Sequence, residues 1–226
     1  MRLNQFVARS SGLSRRAADT AIRSGEVTVN HRPGRLGQSV QSGDSVSWRG
    51  RSLSLPIETT TIIFHKPPGY VCSRQRQGRS PLIYELLPSE LAGLKSVGRL
   101  DRNSSGLLVL TDDGRLANRL SHPSFGKTKR YLVTIDRPLL PTDRDRLERG
   151  VRLDSRLSRL QVLKASGPNL TLELTTGINR QIRRSLTALG YRTLTLKRTD
   201  FGPLKLGSLE SGRWRRLTPE EATWLA

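Results

Sequence analysis

The segment "SVGRLDRNSSGLLVLTDDG", Ser96 to Gly114, sets one carboxylate, Asp101, between Arg99 and Arg102, just ahead of an apolar run. A carboxylate beside guanidinium groups stays ionised at cellular pH. It is a poor general acid but a competent nucleophile or electrostatic stabiliser. The plainer alternative for the same residues is a turn stapled by a salt bridge. Two other basic places could serve such a group. "NRQIRR" puts Arg180, Arg183 and Arg184 at a helix start. Arg180 and Arg184 are four apart and share a face, whereas Arg183 points elsewhere. One of them could reach a carboxylate while the others take phosphates. In "KTKRYLV", Tyr131 lies in a basic strand where its ring could stack on a base. A solvated helix face and a half-buried strand tyrosine are the plainer alternatives.

Other chemistries find little support. There is no phosphate-cradling loop of the Walker or dinucleotide type. His31, His65 and His122 are scattered, and His65 with Lys66 in "HKPPG" reads as strand-end packing rather than a catalytic pair. A single cysteine, Cys72, excludes an internal disulfide and a Cys-cluster zinc site. The 226 residues carry 39 Lys and Arg against 19 Asp and Glu, a formal net charge of +20. Such an excess points to a polyanionic partner, with nucleic acid ahead of an anionic membrane surface. No apolar stretch is long enough to span a bilayer, and the N-terminus lacks a signal-type apolar run. A cytoplasmic, reducing setting and a monomer are expected.

The elements that must position these residues fall into two textures. In residues 1–50, "RLNQFVARS" puts Leu3, Phe6 and Val7 on one helical face. "LSRRAADTAIRSG" offers Ser14 as N-cap, an inner stripe of Ala17, Ala18, Ala21 and Ile22, and Gly25 as stop. Arg15, Arg16 and Arg23 fall on its polar side, either solvated or facing phosphates. "EVTVN" and "GDSVSW" read as strands about the turn "HRPGR". Residues 51–59 read as a linker with the boundary near Pro56. Residues 60–226 are strand-rich. "TIIFHK", "GLLVLT", "KRYLVTI", "SRLQVLKA", "NLTLELTT" and "RTLTLKRTDFG" are strands. Helices are expected in "GRLANRLSHP", ended by Pro123, and in "LPTDRDRLERGV", capped by Thr142 and ended by Gly150. "INRQIRRSLTALG" is a third, with Ile178, Ile182, Leu186 and Leu189 inward, and "LTPEEATWLA" opens with a Thr218/Glu221 capping box. Strand runs with isolated helices predict an α+β domain on a mainly antiparallel mixed sheet with flanking helices.

In this order, "FHKPPGYVCS", "GRLDRNSSGLLVLTDDG", "KTKRYLV", "TTGINRQIRRSL" and "LKRTDFGPLKLGSL" resemble the motifs of the RsuA/RluB/RluE/RluF family of ribosomal-RNA pseudouridine synthases. "MRLNQFVARSSGLSRRAADTAIRSGEVTVN" resembles the small ribosomal-protein-S-four-type (alpha-L) RNA-binding module. The resemblance implies a pseudouridine synthase catalytic domain and roles residue by residue. Asp101 matches the catalytic aspartate, and Tyr131 the tyrosine that stacks on uracil and is the candidate proton acceptor. Arg183 matches the partner of the aspartate, Arg99 the arginine entering the RNA stack, and Leu196 the apolar residue against the flipped base. Arg15, Arg16, Arg23, Arg180 and Arg184 are expected to contact RNA. Three positions depart from the usual pattern: Ser104 for Thr, Thr176 for Glu and Ser185 for Met. The implied reaction breaks the ribose bond to uracil nitrogen-1 and remakes it to carbon-5. It needs no redox change, and so no cofactor or metal. The implied partner is a structured stem-loop of ribosomal RNA. "GRLANRLSHPS" leans toward the large-subunit 23S molecule, although "GYVCS" is also similar to the small-subunit enzyme. A non-catalytic rRNA-binding or ribosome-assembly factor and a DNA-binding architectural protein are the competing readings. If Arg15 and Arg16 face phosphates, Arg15→Glu with Arg16→Glu will weaken RNA binding and flatten its salt dependence by about one unit of slope per lost phosphate contact. Filter binding across a salt series checks this, and unchanged binding would mark a solvated face.

Overall fold

The run Leu107–Leu110 lies at the centre of a sheet buried on both faces, which is why it is continuous rather than alternating. The computed structural model describes residues 1–55, 59–76, 78–121 and 127–225. By contacts the chain divides into two compact units, Met1–Thr59 and Thr60–Ala226. The boundary expected at Pro56 lies outside the described residues.

In the first unit, α1 (Leu3–Ser11) and α2 (Arg15–Arg23) precede β1 (Val27–Val29), β2 (Arg32–Pro33), β3 (Val46–Trp48) and β4 (Arg51–Leu53). The strands form an antiparallel sheet in the order β2-β1-β3-β4. Leu3, Val7, Ala18, Ala21, Ile22 and the β1 valines share one core. The Ser14 hydroxyl accepts from the Ala17 amide at 3.1 Å, the N-cap expected for α2. Ala17 is exposed rather than part of the inner stripe, because that first-turn position faces solvent. Arg51–Leu53, expected as the start of a linker, pair with Val46–Trp48 instead.

The second unit runs β5 (Thr61–Lys66), β6 (Lys95–Val97), β7 (Ser105–Thr111), α3 (Gly114–Ser121), β8 (Lys129–Ile135), α4 (Pro141–Arg149), β9 (Val151–Leu153), β10 (Arg156–Ser158), β11 (Gln161–Ser166), β12 (Asn169–Leu174), α5 (Gln181–Ala188), β13 (Thr193–Phe201), β14 (Leu204–Lys205), β15 (Trp214–Arg216) and α6 (Pro219–Leu225). The main sheet has the order β11-β12-β8-β13-β7-β5-β15, with β6 on β7 and β14 on β13. Its pairings are antiparallel except β13 with β7. One face packs Ile62, Phe64, Leu108, Val133, Ile182 and Leu186 into a core, and Ile63, Leu107, Val109, Leu116 and Leu204 fill the other side of β5 and β7. Residues in β8 alternate, Tyr131, Val133 and Ile135 inward, as the period of two requires.

Two helix boundaries differ from expectation. Pro141 is the first residue of α4, so its fixed φ starts the helix and Thr142 lies inside the first turn without capping. α5 starts at Gln181, leaving Ile178 half-buried in the preceding loop. The stop at Pro123 lies outside the described residues, and α3 is described to Ser121. The Thr218/Glu221 capping box of α6 is present in both directions, at 2.9 and 3.3 Å. Among the described residues no helix is long and apolar enough to cross a membrane.

The parallel β13–β7 contact depends on Gly106. Its φ is +107°, and a Cβ there would sit 2.2 Å from the Arg198 carbonyl oxygen. Gly106→Ala must therefore push β7 and β13 apart and strain the backbone, a cost of roughly 3 kcal/mol or more. Thermal unfolding should show Tm lower by about 6–12 °C. An unchanged Tm would mean the strands do not approach this closely.

Candidate active site

Asp101 sits in the turn between β6 and β7, where the Ser104 amide donates to the Asp101 carbonyl at 3.0 Å. The backbone carbonyls around it are taken one after another. The Cys72 thiol donates to Leu100 O at 3.5 Å, and the Gly69 amide donates to Arg102 O at 2.7 Å. The Lys66 ammonium donates to Arg102 O at 3.2 Å, to Ser104 O at 2.8 Å and to Pro67 O at 2.9 Å. Arg183 Nη2 donates to Asn103 O at 2.8 Å. Arg102 Nε closes the set on Gly69 O at 3.3 Å. With its carbonyls held, the turn presents the Asp101 carboxylate, which makes no hydrogen bond among the described residues. Its one ion-pair partner there is Arg180, Nη1 to Oδ2 at 4.0 Å.

Arg183, the expected partner, makes no ion pair with Asp101 among the described residues. That side chain is the third residue of α5 and spends its two terminal nitrogens on Asn103 O and, at 3.3 Å, on Thr193 O. Arg180 lies just before the helix with φ +49°, a left-handed turn that brings its guanidinium to Asp101. Burial and the neighbouring Arg180 charge lower the Arg183 pKa, while Asp101 pulls it the other way. Arg184, also expected at RNA, pairs with Asp154 at 2.8 Å.

Asp101 opens into a cleft of about 590 Å³, also lined by Arg99, Tyr131, Arg180, Leu196 and Arg198. Arg99 is exposed, and Tyr131 and Leu196 are buried in the apolar wall. Tyr131 on β8 stands directly opposite Arg198 on β13. Arg198 is 4% exposed, donates from Nε to Leu107 O at 2.8 Å and lies over the Phe201 ring at 5.1 Å. The loop before α5 is held by Gln181, whose Oε1 accepts from the Thr176 hydroxyl at 2.9 Å and the Ile178 amide at 3.2 Å. Ser185 is buried and bonds Ser158 at 2.8 Å. Two of the three unusual residues therefore have local partners. Arg15, Arg16 and Arg23 are exposed on α2 of the first unit.

Sequence reasoning missed Lys66 and Arg198. Lys66 reads as strand-end packing, and at 0% exposed it is packed, but its grip on the Asp101 turn was not foreseen. The available signal was Gly106, whose place inside an apolar strand marks a close backbone approach, here to Arg198.

A fixed carboxylate in a cleft walled by an aromatic ring, apolar side chains and arginines sets an anion beside a surface on which a flat ring could stack. Residues 60–188 match the RNA pseudouridylate synthase family, and residues 1–46 match the S4 domain. An uncharacterised RNA pseudouridine synthase of Aquifex aeolicus is 34% identical, with 98% of this chain and 94% of that protein covered. The ribosomal small subunit pseudouridine synthase A of Pasteurella multocida is also 34% identical, over 98% and 97% of the two chains. The dual-specificity RNA pseudouridine synthase RluF of Escherichia coli is 31% identical over 98% and 77%. A crystal structure of a pseudouridylate synthase superposes over the whole of both chains with TM-score 0.73 and 31% identity. The chain belongs to the RNA pseudouridylate synthase family, joined to an N-terminal S4 domain.

Burial pushes the Lys66 ammonium down to about 8, against the opposing charges of Cys72 and Asp101. As pH rises through about 8 the amine loses one of three donors, so the Asp101 turn slackens and the rate of pseudouridine formation should fall there. The stability effect has the opposite sign. The unfolded chain keeps this proton to about 10.5, so it binds more protons between about 8 and 10.5, and the penalty for burying the Lys66 charge is relieved as pH rises across that window. Single-turnover rates from pH 6 to 10 check this. Lys66→Met should lower the rate at pH 7 and remove the alkaline limb near 8. A limb that survives in Lys66→Met would assign it to another group.

Proposed function

We propose that this enzyme converts a specific uridine of ribosomal RNA to pseudouridine, using Asp101 on a base flipped into the cleft. The observation that carries the reading is the Asp101 carboxylate, which makes no hydrogen bond among the described residues and is presented by a turn whose carbonyls from Leu100 to Ser104 are engaged. The target carbon is out of reach inside a base stack, so the nucleotide must leave it, at a cost of a few kcal/mol that is smallest for an unpaired base. Arg99, exposed at the rim, fills the gap in the RNA stack. Tyr131 and Leu196 confine the uracil between aromatic and apolar surfaces while it turns to present carbon-5. The bond to nitrogen-1 breaks, the bond to carbon-5 forms, carbon-5 loses its proton and nitrogen-1 gains one. Asp101 serves this by attacking the ribose anomeric carbon, by attacking uracil carbon-6 or by stabilising a glycal. Tyr131 is the proposed proton acceptor. Arg183 acts through the turn, fixing Asn103 so that the carboxylate is aimed, a preorganising role.

Arg15, Arg16 and Arg23 of the S4 domain add phosphate contacts, which position the enzyme without reading sequence. Two weak sites on one chain raise effective concentration and favour one structured stem-loop. The relatives are named for small-subunit, large-subunit and dual substrates. We place this enzyme in the cytoplasm, as a monomer, on large-subunit 23S rRNA. Mapping pseudouridines across 16S and 23S rRNA from cells with and without the gene tests this. One missing site in 23S, restored by the wild-type gene, is expected. A missing site in 16S would move the substrate. No missing site in either would favour a non-catalytic assembly factor.

A further inference from the structure

We propose that Arg180 is a displaceable counter-ion: it faces Asp101 in the free enzyme and passes to a backbone phosphate of the RNA as the target nucleotide enters the cleft. The inference rests on the functional reading above and specifies when the nucleophile is released.

Arg180 and Arg183 flank the same carboxylate, but only Arg183 is committed to protein groups, the carbonyls of Asn103 and Thr193. Arg180 makes a single contact to Asp101 at 4.0 Å, with its side chain 51% exposed and the carboxylate 29% exposed. A long, open ion pair of this kind is weak. A phosphate offers the guanidinium two parallel, shorter hydrogen bonds, so it wins once RNA is bound. The chain's excess of +20 draws such a polyanion to the surface. The backbone supports a dedicated placement. Arg180 holds φ +49° and ψ +35°, a left-handed conformation that an arginine adopts only at a cost. Glycine or asparagine would suit the geometry better, and strained residues of this kind cluster at ligand clamps. Repulsion from the nearby Arg183 further loosens Arg180 from the carboxylate. With Arg180 on phosphate, Asp101 keeps its aimed position through the Lys66 and Arg183 contacts but loses its counter-ion, so the carboxylate is freed only when substrate is loaded.

The experiment uses the full chain, with 16S and 23S rRNA from cells lacking the gene. In Arg180→Gln, the slope of log Kd against log salt should fall by about 0.7–0.9, one phosphate contact. The RNA concentration for half-maximal single-turnover rate should rise about fivefold or more, while the rate at saturating RNA drops less than about threefold. Arg180→Gly removes the same charge and relaxes the left-handed backbone, so it should repeat the result and exclude a folding artefact. An unchanged salt slope overturns the proposal and leaves Arg180 a solvated residue. A saturating rate lower by about tenfold or more also overturns it, because Arg180 would then stay with Asp101 during the chemistry. A wild-type protein that forms no pseudouridine on either RNA breaks the functional reading instead, and the salt slope still decides whether Arg180 takes a phosphate.

Discussion

Lys66 carries an ammonium group where no solvent reaches it, and the placement of the candidate nucleophile depends on that buried charge. Burying an unpaired ammonium would cost several kcal/mol. Here three carbonyls offset part of the cost, and two of them belong to the turn around Asp101. Each charge-assisted bond contributes about 1.5–3 kcal/mol. The turn cannot move without exposing the ammonium to an unsatisfied interior, so Asp101 inherits its position from the end of β5.

The rest of the second unit follows from the need to bring three separate strands to that turn. β5 supplies Lys66, β7 continues the turn into the core, and β13 crosses β7 at Gly106 to set Arg198 and Leu196 along the cleft. The absent side chain at Gly106 and the buried guanidinium of Arg198 are two halves of one contact. α5 closes the opposite side through Arg183, whose bond to Asn103 ties the helix to the same turn. The carboxylate is therefore held by its backbone and left open at its oxygens, the arrangement that a group required to act on a substrate needs.

Much of this was legible in the chain. Continuous apolar runs marked β5 and β7, alternation marked β8, and Ser14 and the Thr218/Glu221 pair marked two helix starts. Asp101, Arg99, Tyr131, Leu196 and Arg180 do gather at one cleft. What escaped has physical causes. A left-handed φ at an arginine has no sequence signal, so the exchange of Arg180 for Arg183 beside Asp101 could not be read. The start of α5 is set by the Gln181 side chain reaching back to Thr176 and Ile178, a local cap that the apolar spacing of the segment does not reveal. The roles of Lys66 and Arg198 were not legible because their carbonyl partners come from residues distant in the chain, and a charged side chain is usually expected outside.

We propose that the carboxylate of Asp101, and not the basic surface alone, carries the reaction. Asp101→Asn keeps the size of the side chain and leaves every backbone contact of the turn in place. Its RNA affinity and pseudouridine yield, measured together on rRNA from cells lacking the gene, test the claim directly. Affinity should stay within about threefold of wild type while pseudouridine falls to background, because neutralising a nucleophile removes transition-state stabilisation without removing binding. Substantial turnover by Asp101→Asn would contradict it.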